Sequence, residues 1–393
     1  MRRRFIRSMM FLLAALVGIG CLSAMAETKI EYIREESGES FVLLPVLSGL
    51  DNSYVQDSVN GQIRDAAQPH LNTLLLLSSG VPGSLQAEGT AEVFPSADGH
   101  NLLSVLIDIK GRMPSGRSGQ SFIPLMFDLA DGRRVSYEAL FSEETAARGF
   151  VEDLSLSVFS EDLSNYLNID DLFPFPLDRV LVRETGLSFY YPDDSLTWLS
   201  GKSASIHYLY HELESVLDRS EGSLLYNLGI PELLSIHADS AEKIRNAVKS
   251  GSLPGIDARL WDSIEDLTKR HYLKYDPEGF PEGELYQLEN DIYRGTVLLS
   301  EDGNRVSGIL SRRINMFGLI VGRTDRAEAL SVLGTPATVL PLESAAAFVY
   351  GLPEGELVGF LFGDNELRLY FDLDGLLNAV WLRPDGQKET GSK

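Results

Sequence analysis

A single cysteine, Cys21, stands among 393 residues. No disulfide can therefore form within the chain, and the fold must rest on buried apolar side chains. Basic residues are also scarce, with 34 lysines and arginines against 57 acidic residues and a net charge of −23 at pH 7. Such a surface repels nucleic-acid phosphates and anionic lipid, so nucleic acid is excluded as a partner, whereas a basic protein or a cation is attracted. Solubility is the plainer use of the same charge. Long hydrophobic runs are missing too. Phe11 to Ile19, the longest, falls short of the roughly 20 residues that a transmembrane helix requires, so no membrane span is expected. The six histidines are dispersed and form no ligand cluster by spacing.

What is present begins with an address. Arg2, Arg3, Arg4 and Arg7 precede the apolar run, and Ala24-Met25-Ala26 closes it in the small-x-small pattern of a cleavage site. Residues 1–26 therefore read as a signal peptide, and the expected location is extracytoplasmic, either periplasmic or secreted. Gly20-Cys21 offers a second route, cleavage and lipidation at Cys21, although Gly18 stands where such sites usually carry leucine.

A hydrophobic fraction of 44% supplies material for several cores. Residues 28–47 alternate apolar and polar side chains, which predicts one or two strands. Ser53 and Gln56 make a capping box, and Val55, Val59, Ile63 and Ala66 follow at helical spacing until Pro69. Paired strands are expected at 90–94 and 102–109 around Ser96-Ala97-Asp98-Gly99, then a strand ending at Leu129 beside an Asp131-Gly132 turn. Val180–Val182 and Leu187–Tyr191 read as a hairpin, 203–209 as a further strand, and His211–Leu217 as helical. The fold class is thus α+β: a two-part antiparallel sheet and helix module, a helical connector, and a C-terminal helix packed on an antiparallel β-meander. The expected divisions are 27–120 and 121–220 for the half-modules, 221–290 for the connector and 291–388 for the last domain.

Four segments, 43–63, 127–141 (FDLADGRRVSYEALF), 183–194 (RETGLSFYYPDD) and 205–213 (SIHYLYHEL), resemble in order and spacing one extracytoplasmic module of unassigned chemistry. That module forms the external part of lysozyme-sensing anti-sigma factors and the N-terminal part of certain peptidoglycan deacetylases, and the resemblance spans roughly 30–218. It implies fold and compartment more than activity. This chain lacks the membrane span of the first group and, after residue 220, the Asp-Asp and histidine ligands of the second group's catalytic domain. Gly322, Thr324, Leu333, Gly334 and Pro336 match the signature of helix-on-sheet domains like those of small outer-membrane assembly lipoproteins and β-lactamase inhibitor protein. That likeness implies protein binding or packing rather than chemistry.

Motifs with catalytic associations have simpler explanations. Gly201-Lys202-Ser203 lacks the earlier glycine of a phosphate loop, since Leu196 stands there. Ser240-x-x-Lys243 and Lys249-Ser250-Gly251 fall on one predicted helix rather than on separate elements. His207 and His211 have the i,i+4 interval of a zinc helix but sit on different elements. The doublets Asp170-Asp171 and Asp193-Asp194 point apart as neighbours do, and Asp372-Leu373-Asp374-Gly375 reads as a hairpin turn rather than a calcium loop. No catalytic residue, metal or cofactor is expected. Tyr190, Tyr191, Asp193, Asp194 and Trp198 remain as candidate ligand contacts, because aromatics beside acidic loops can stack on sugars or grip a protein. The functional expectation is a non-enzymatic binding protein of the cell envelope, its partner a basic protein such as a lysozyme-like hydrolase, or peptidoglycan. The alternatives are an envelope glycan hydrolase and a structural component.

Overall fold

The structure, a computed structural model, describes residues 28–112, 118–162, 173–191, 205–280, 283–288, 295–344, 347 and 350–385; the leader segment with Cys21 lies outside them. Strands β1 (Lys29–Ser37) and β2 (Ser40–Ser48) form a hairpin, helix α1 (Ser53–Ser78) crosses over, and β3 (Ser84–Phe94) pairs parallel with β2. Antiparallel β4 (Leu102–Arg112) and β5 (Ser118–Asp128) complete a five-stranded sheet in sequential order. Period-two alternation on β4 supplies both faces of this sheet. Leu103, Val105, Ile107 and Ile109 share a core with α1, whereas Leu102 faces the next unit. The sheet runs across residue 120, where the sequence divides the two half-modules.

The first helix is longer than its pattern predicts. Asn52, not Ser53, is its cap, accepting from the Tyr54 and Val55 N–H groups, and the helix continues through Pro69. A proline inside a helix costs about 3 kcal/mol. Beyond it Leu71 and Leu74 extend the buried stripe of Val55, Val59, Ile63 and Ala67. Two buried leucines contribute roughly 1.5–3 kcal/mol each, enough to offset the break.

A second unit packs against the opposite face of the sheet. It contains a 3-10 turn at Tyr137–Leu140, α2 (Glu144–Asp162) and a three-stranded antiparallel sheet of β6 (Val180–Val182), β7 (Gly186–Tyr190) and β8 (Ser205–Leu209). Phe175, Phe189, Tyr208 and Tyr210 form its core together with Phe122 and Met126 of β5. His211–Leu217, expected as helix, is a series of tight turns. The bridge Phe141↔Leu217 and the Asp218 N–H bond to Leu140 O draw its end into extended backbone, which halts helical propagation.

Residues 221–290 join the two flanking cores rather than standing apart. Short α3 (Leu224–Asn227) places Leu225 in the second core, while α4 (Ser240–Lys249) and α5 (Ile264–Arg270) place Ile244, Val248 and Leu267 in the third. The run expected to close the connector forms strands β9 (Leu273–Phe280) and β10 (Gly283–Leu288). β9 is an edge strand, where Pro277 deprives the sheet of no ladder bond it needs. Tyr275 and Tyr286 pair across the two strands with ring centroids 5.6 Å apart.

The third unit continues with β11 (Thr296–Leu299), β12 (Val306–Ser311), a small hairpin of β13 (Asn315–Met316) and β14 (Leu319–Ile320), α6 (Arg326–Leu333), β15 (Thr338–Leu342), β16 (Gly355–Phe362), β17 (Asn365–Asp372) and β18 (Leu377–Pro384). Its eight-stranded antiparallel sheet has the order β15-β16-β17-β18-β12-β11-β10-β9. The capping box of Asp325 and Glu328 forms on α6, and Asp374-Gly375 closes the β17–β18 turn. Leu367, Leu369 and Phe371 face the helices, while Tyr370, Ala379 and Trp381 face a smaller core on the other side. Among the described residues no helix is long and apolar enough to cross a membrane.

Candidate functional site: a cleft between the second and third units

Of the five candidate ligand contacts, Tyr190 and Tyr191 lie among the described residues. Tyr190 and Tyr191 are 1% and 2% exposed inside the second core. The Tyr190 ring lies 5.1 Å from Phe122, and its hydroxyl accepts from Arg183 Nη2 at 2.7 Å. Tyr191 packs edge-on against Phe175. Neither offers a ligand its face. Asp193, Asp194, Trp198, Asp170, Asp171 and Gly201-Lys202-Ser203 lie outside the described residues. His207 is buried and its Nδ1 meets Ser188 Oγ at 3.0 Å; burial, with the Arg313 charge, holds its pKa well below the usual imidazole value. Burial lowers His211 in the same way. Ser240 Oγ accepts the His237 N–H at 3.1 Å, a local cap at the start of α4. Among the described residues no group of three histidine, cysteine or acidic side chains could hold a metal ion.

A cavity lies where sequence pattern gives little sign of one. Residues 251–260 form a loop whose ends are tied by the Leu260 N–H bond to Gly251 O at 2.8 Å and by the bridge Ser252↔Arg259. Leu253, Ile256 and Leu260 anchor it in the third core, so the loop is pinned from beneath. Compact loops with adjoining ends frequently carry function. Its outer side, with Glu184 from the β6–β7 turn and Phe317 from the β13–β14 turn, lines a cavity of about 500 Å³. That volume lies within the range of small-molecule sites.

The backbone around this cavity is strained. Trp261 at φ 72° and Phe317 at φ 53° are the non-glycine residues of positive φ among those described. A β-carbon in that region costs on the order of 1–2 kcal/mol. Phe317 lines the cavity, and Trp261, 46% exposed, stands between its lining residues Arg259 and Asp262. Phe317 begins a two-residue hairpin turn completed by Gly318 at φ 91°. Asparagine is the usual first residue of such a turn. A β-carbon on Gly318 would lie 2.0 Å from Ser235 O, so the turn is clamped to the chain between the units.

The charges divide into paired and unpaired. Arg270 meets Asp257, and lies 3.2 Å from Asp262. His271 Nε2 lies 3.0 Å from the other Asp257 oxygen. Burial works to raise the Asp257 pKa, but the His271 hydrogen bond and the Arg270 charge outweigh it and hold the carboxyl below its ordinary value. Two lining groups remain without partners among the described residues: the Arg259 guanidinium and the Glu184 carboxylate. Burial raises the pKa of Glu184. Glu92, on β3, is pushed up to about 7, chiefly by burial and further by the negative Glu184, against the opposing charge of Arg183. Arg183 is held in the turn by its N–H bond to Gly186 O and by the Tyr210 hydroxyl, which donates to its carbonyl at 2.6 Å.

Two carboxylates of raised pKa, Glu92 and Glu184, thus interact with each other and with Arg183, and Glu184 also lines the cleft. Period analysis missed them because Glu92 sits in an ordinary strand and Glu184 in an ordinary turn.

No family model matches the chain, and no curated protein matches it. Among solved structures it is similar to a DUF3298 family protein from Bacteroides fragilis, with a TM-score of 0.35 and 11% identity over 52% of this chain and 98% of that one. A DUF3298 family protein from Pseudomonas aeruginosa gives 0.36 and 12%, covering 49% and 94%. A DUF4309 family protein from Bacillus subtilis gives 0.26 and 14%, covering 38% and 97%.

Proposed function

We propose that this chain is an exported, non-enzymatic binding protein of the cell envelope. The observation that carries the reading is the cleft of about 500 Å³ between the second and third units, lined by fixed charges of both signs and by the strained Phe317. The lining contains no nucleophile beside a base, and what it offers is recognition. The arginine-led apolar segment ending at Ala26 supports export. The likeness of residues 30–218 to the ectodomain of lysozyme-sensing anti-sigma factors and to part of peptidoglycan deacetylases supports a ligand at the wall, either peptidoglycan or a lysozyme-like basic protein. A net charge of −23 would steer a basic partner, with association weakening as salt passes ~0.1 M.

Titration calorimetry of the mature chain with lysozyme, and retention on purified peptidoglycan, at salt below and above ~0.1 M test this reading. Binding of either at low salt supports it. Binding of neither at low salt removes it.

One observation favours a second reading, an envelope glycan hydrolase: Glu92, held near pKa 7, is protonated enough at neutral pH to serve as a general acid, with Glu184 as its partner carboxylate. Release of soluble sugar from peptidoglycan by the purified chain, abolished in Glu92→Gln, is the result that would replace the first reading.

A further inference from the structure

We propose that the cleft binds a small zwitterion of the amino-acid or short-peptide class, its carboxylate on Arg259 and its ammonium on Glu184. The inference deepens the peptidoglycan arm of the binding reading, since peptidoglycan is a glycan bearing short peptides.

Among the ionic side chains lining the cavity, Arg270 is shared by Asp257 and Asp262, a cluster that keeps one net negative charge, whereas Arg259 and Glu184 have no ion-pair partner among the described residues. The two do not pair with each other. Arg259 is carried by the pinned loop of the third unit, and Glu184 by the β6–β7 turn of the second. A neutral sugar could hydrogen-bond both groups but would balance the charge of neither, and a simple anion would leave Glu184 without a counter-charge. A ligand with both charges satisfies both, and each charge-assisted hydrogen bond to a partly desolvated group is among the stronger polar contacts a site can make. Burial raises the pKa of Glu184, and no cation among the described residues offsets it.

Phe317, which lines the cavity, holds a positive φ that asparagine or glycine would adopt with less strain. Strain kept at a cavity wall is a mark of use. The Phe317 ring gives the ligand an apolar wall, and Lys243 Nζ stands 5.8 Å from the centre of that ring. A cavity of about 500 Å³ admits a peptide of a few residues but no folded partner.

The experiment is calorimetric titration of the mature chain with L-alanyl-L-alanine, its N-acetyl form, its C-terminal amide and a soluble disaccharide-peptide cut from peptidoglycan. The unblocked dipeptide should bind, and each blocking group should weaken it by ~10-fold or more, the scale of one charge-assisted bond. Arg259→Gln should weaken the free dipeptide as amidation does, and should bind the amide no worse than the parent chain binds it. Glu184→Gln should behave likewise towards the N-acetyl form. Both groups are surface side chains, and an unchanged unfolding midpoint verifies each variant's fold. Tighter binding of the disaccharide-peptide than of the dipeptide assigns the source to the wall polymer, and the reverse assigns it to free peptide. Equal binding of blocked and free dipeptides overturns the proposal, as does the absence of heat from both peptide probes. Retention on whole peptidoglycan without any peptide binding removes this inference and leaves the envelope reading standing. Peptide binding with no affinity for lysozyme or peptidoglycan does the opposite.

Discussion

Arg313 clasps Glu212 with both arms of its guanidinium, Nε to Oε1 at 2.7 Å and Nη2 to Oε2 at 2.6 Å, and the same Nη2 donates to the His207 carbonyl at 3.0 Å. The two side chains come from different units and are both more than two-thirds shielded from solvent. A second pair, Arg323 with Glu214, lies beside them, and Asn315 Nδ2 donates to Leu233 O at 2.8 Å across the same seam. This polar seam fixes the β13–β14 hairpin against the second unit, and the position of Phe317 in the cleft follows from it.

Arg313→Met should therefore destabilise the chain by about 1–3 kcal/mol, because Glu212 keeps its desolvation without its partner. Glu212→Gln combined with Arg313→Met should recover part of that loss. Denaturant unfolding of the single and double variants measures both effects. A single-variant loss below about 0.5 kcal/mol would place the pair among ordinary surface ion pairs.

Glu92 should contribute a fall in stability between about pH 4.5 and pH 7, against the opposite contribution of the buried His207 and His211. The Glu92 carboxyl is pushed up to about 7 in the fold from an ordinary value of 4.5. Over that window this group binds more protons in the native state than in the unfolded chain, so its part of the unfolding free energy decreases as pH rises. Arg183 opposes the shift, and Glu184, itself raised, adds to it with the same sign. Between pH 5 and pH 8 the Glu92→Gln variant should gain thermal stability relative to the parent chain. A difference between the two that does not change with pH would assign the pH dependence elsewhere.

Elements written in local chemistry were legible in the sequence. The Asp325–Glu328 capping box, the Gly334 cap of α6 and the Asp374-Gly375 turn are each encoded within a few residues, and all three form. What depends on distant burial was not. Pro69 ends a helix by local rule, yet Leu71 and Leu74 find a core that carries the helix past it. The tyrosines of β9 and β10 read as connector because nothing local reveals that a sheet edge awaits them. Tyr190 and Tyr191 carried the composition of a ligand platform and became core. The cleft was illegible for the same reason: Glu184 and Arg259 are 75 positions apart, and neither is unusual in its own neighbourhood.

Gly318→Ala should cost several kcal/mol or displace the hairpin altogether. The new methyl would lie 2.0 Å from Ser235 O, and the position already demands φ 91°. Both the clash with backbone and the left-handed conformation oppose it. Chemical denaturation gives the stability, and amide chemical shifts of the Ser235–Ile236 segment report whether the clamp has opened. Gly322→Ala, at φ 80° but with open space around it, isolates the conformational part and should cost only about 1–2 kcal/mol.

Trp261→Asn should stabilise the chain. The side chain is 46% exposed, so little apolar burial is lost, whereas asparagine tolerates the φ of 72° far better than a bulky ring. The Trp261 N–H bond to Val306 O at 2.8 Å is a backbone bond and survives the exchange. The expected gain is about 0.5–1 kcal/mol in denaturant unfolding. If the strain serves the cleft, affinity for a cleft ligand should fall in the same variant, so that stability and binding move in opposite directions. A variant that is both more stable and unimpaired in binding would show that the tryptophan's conformation serves neither purpose.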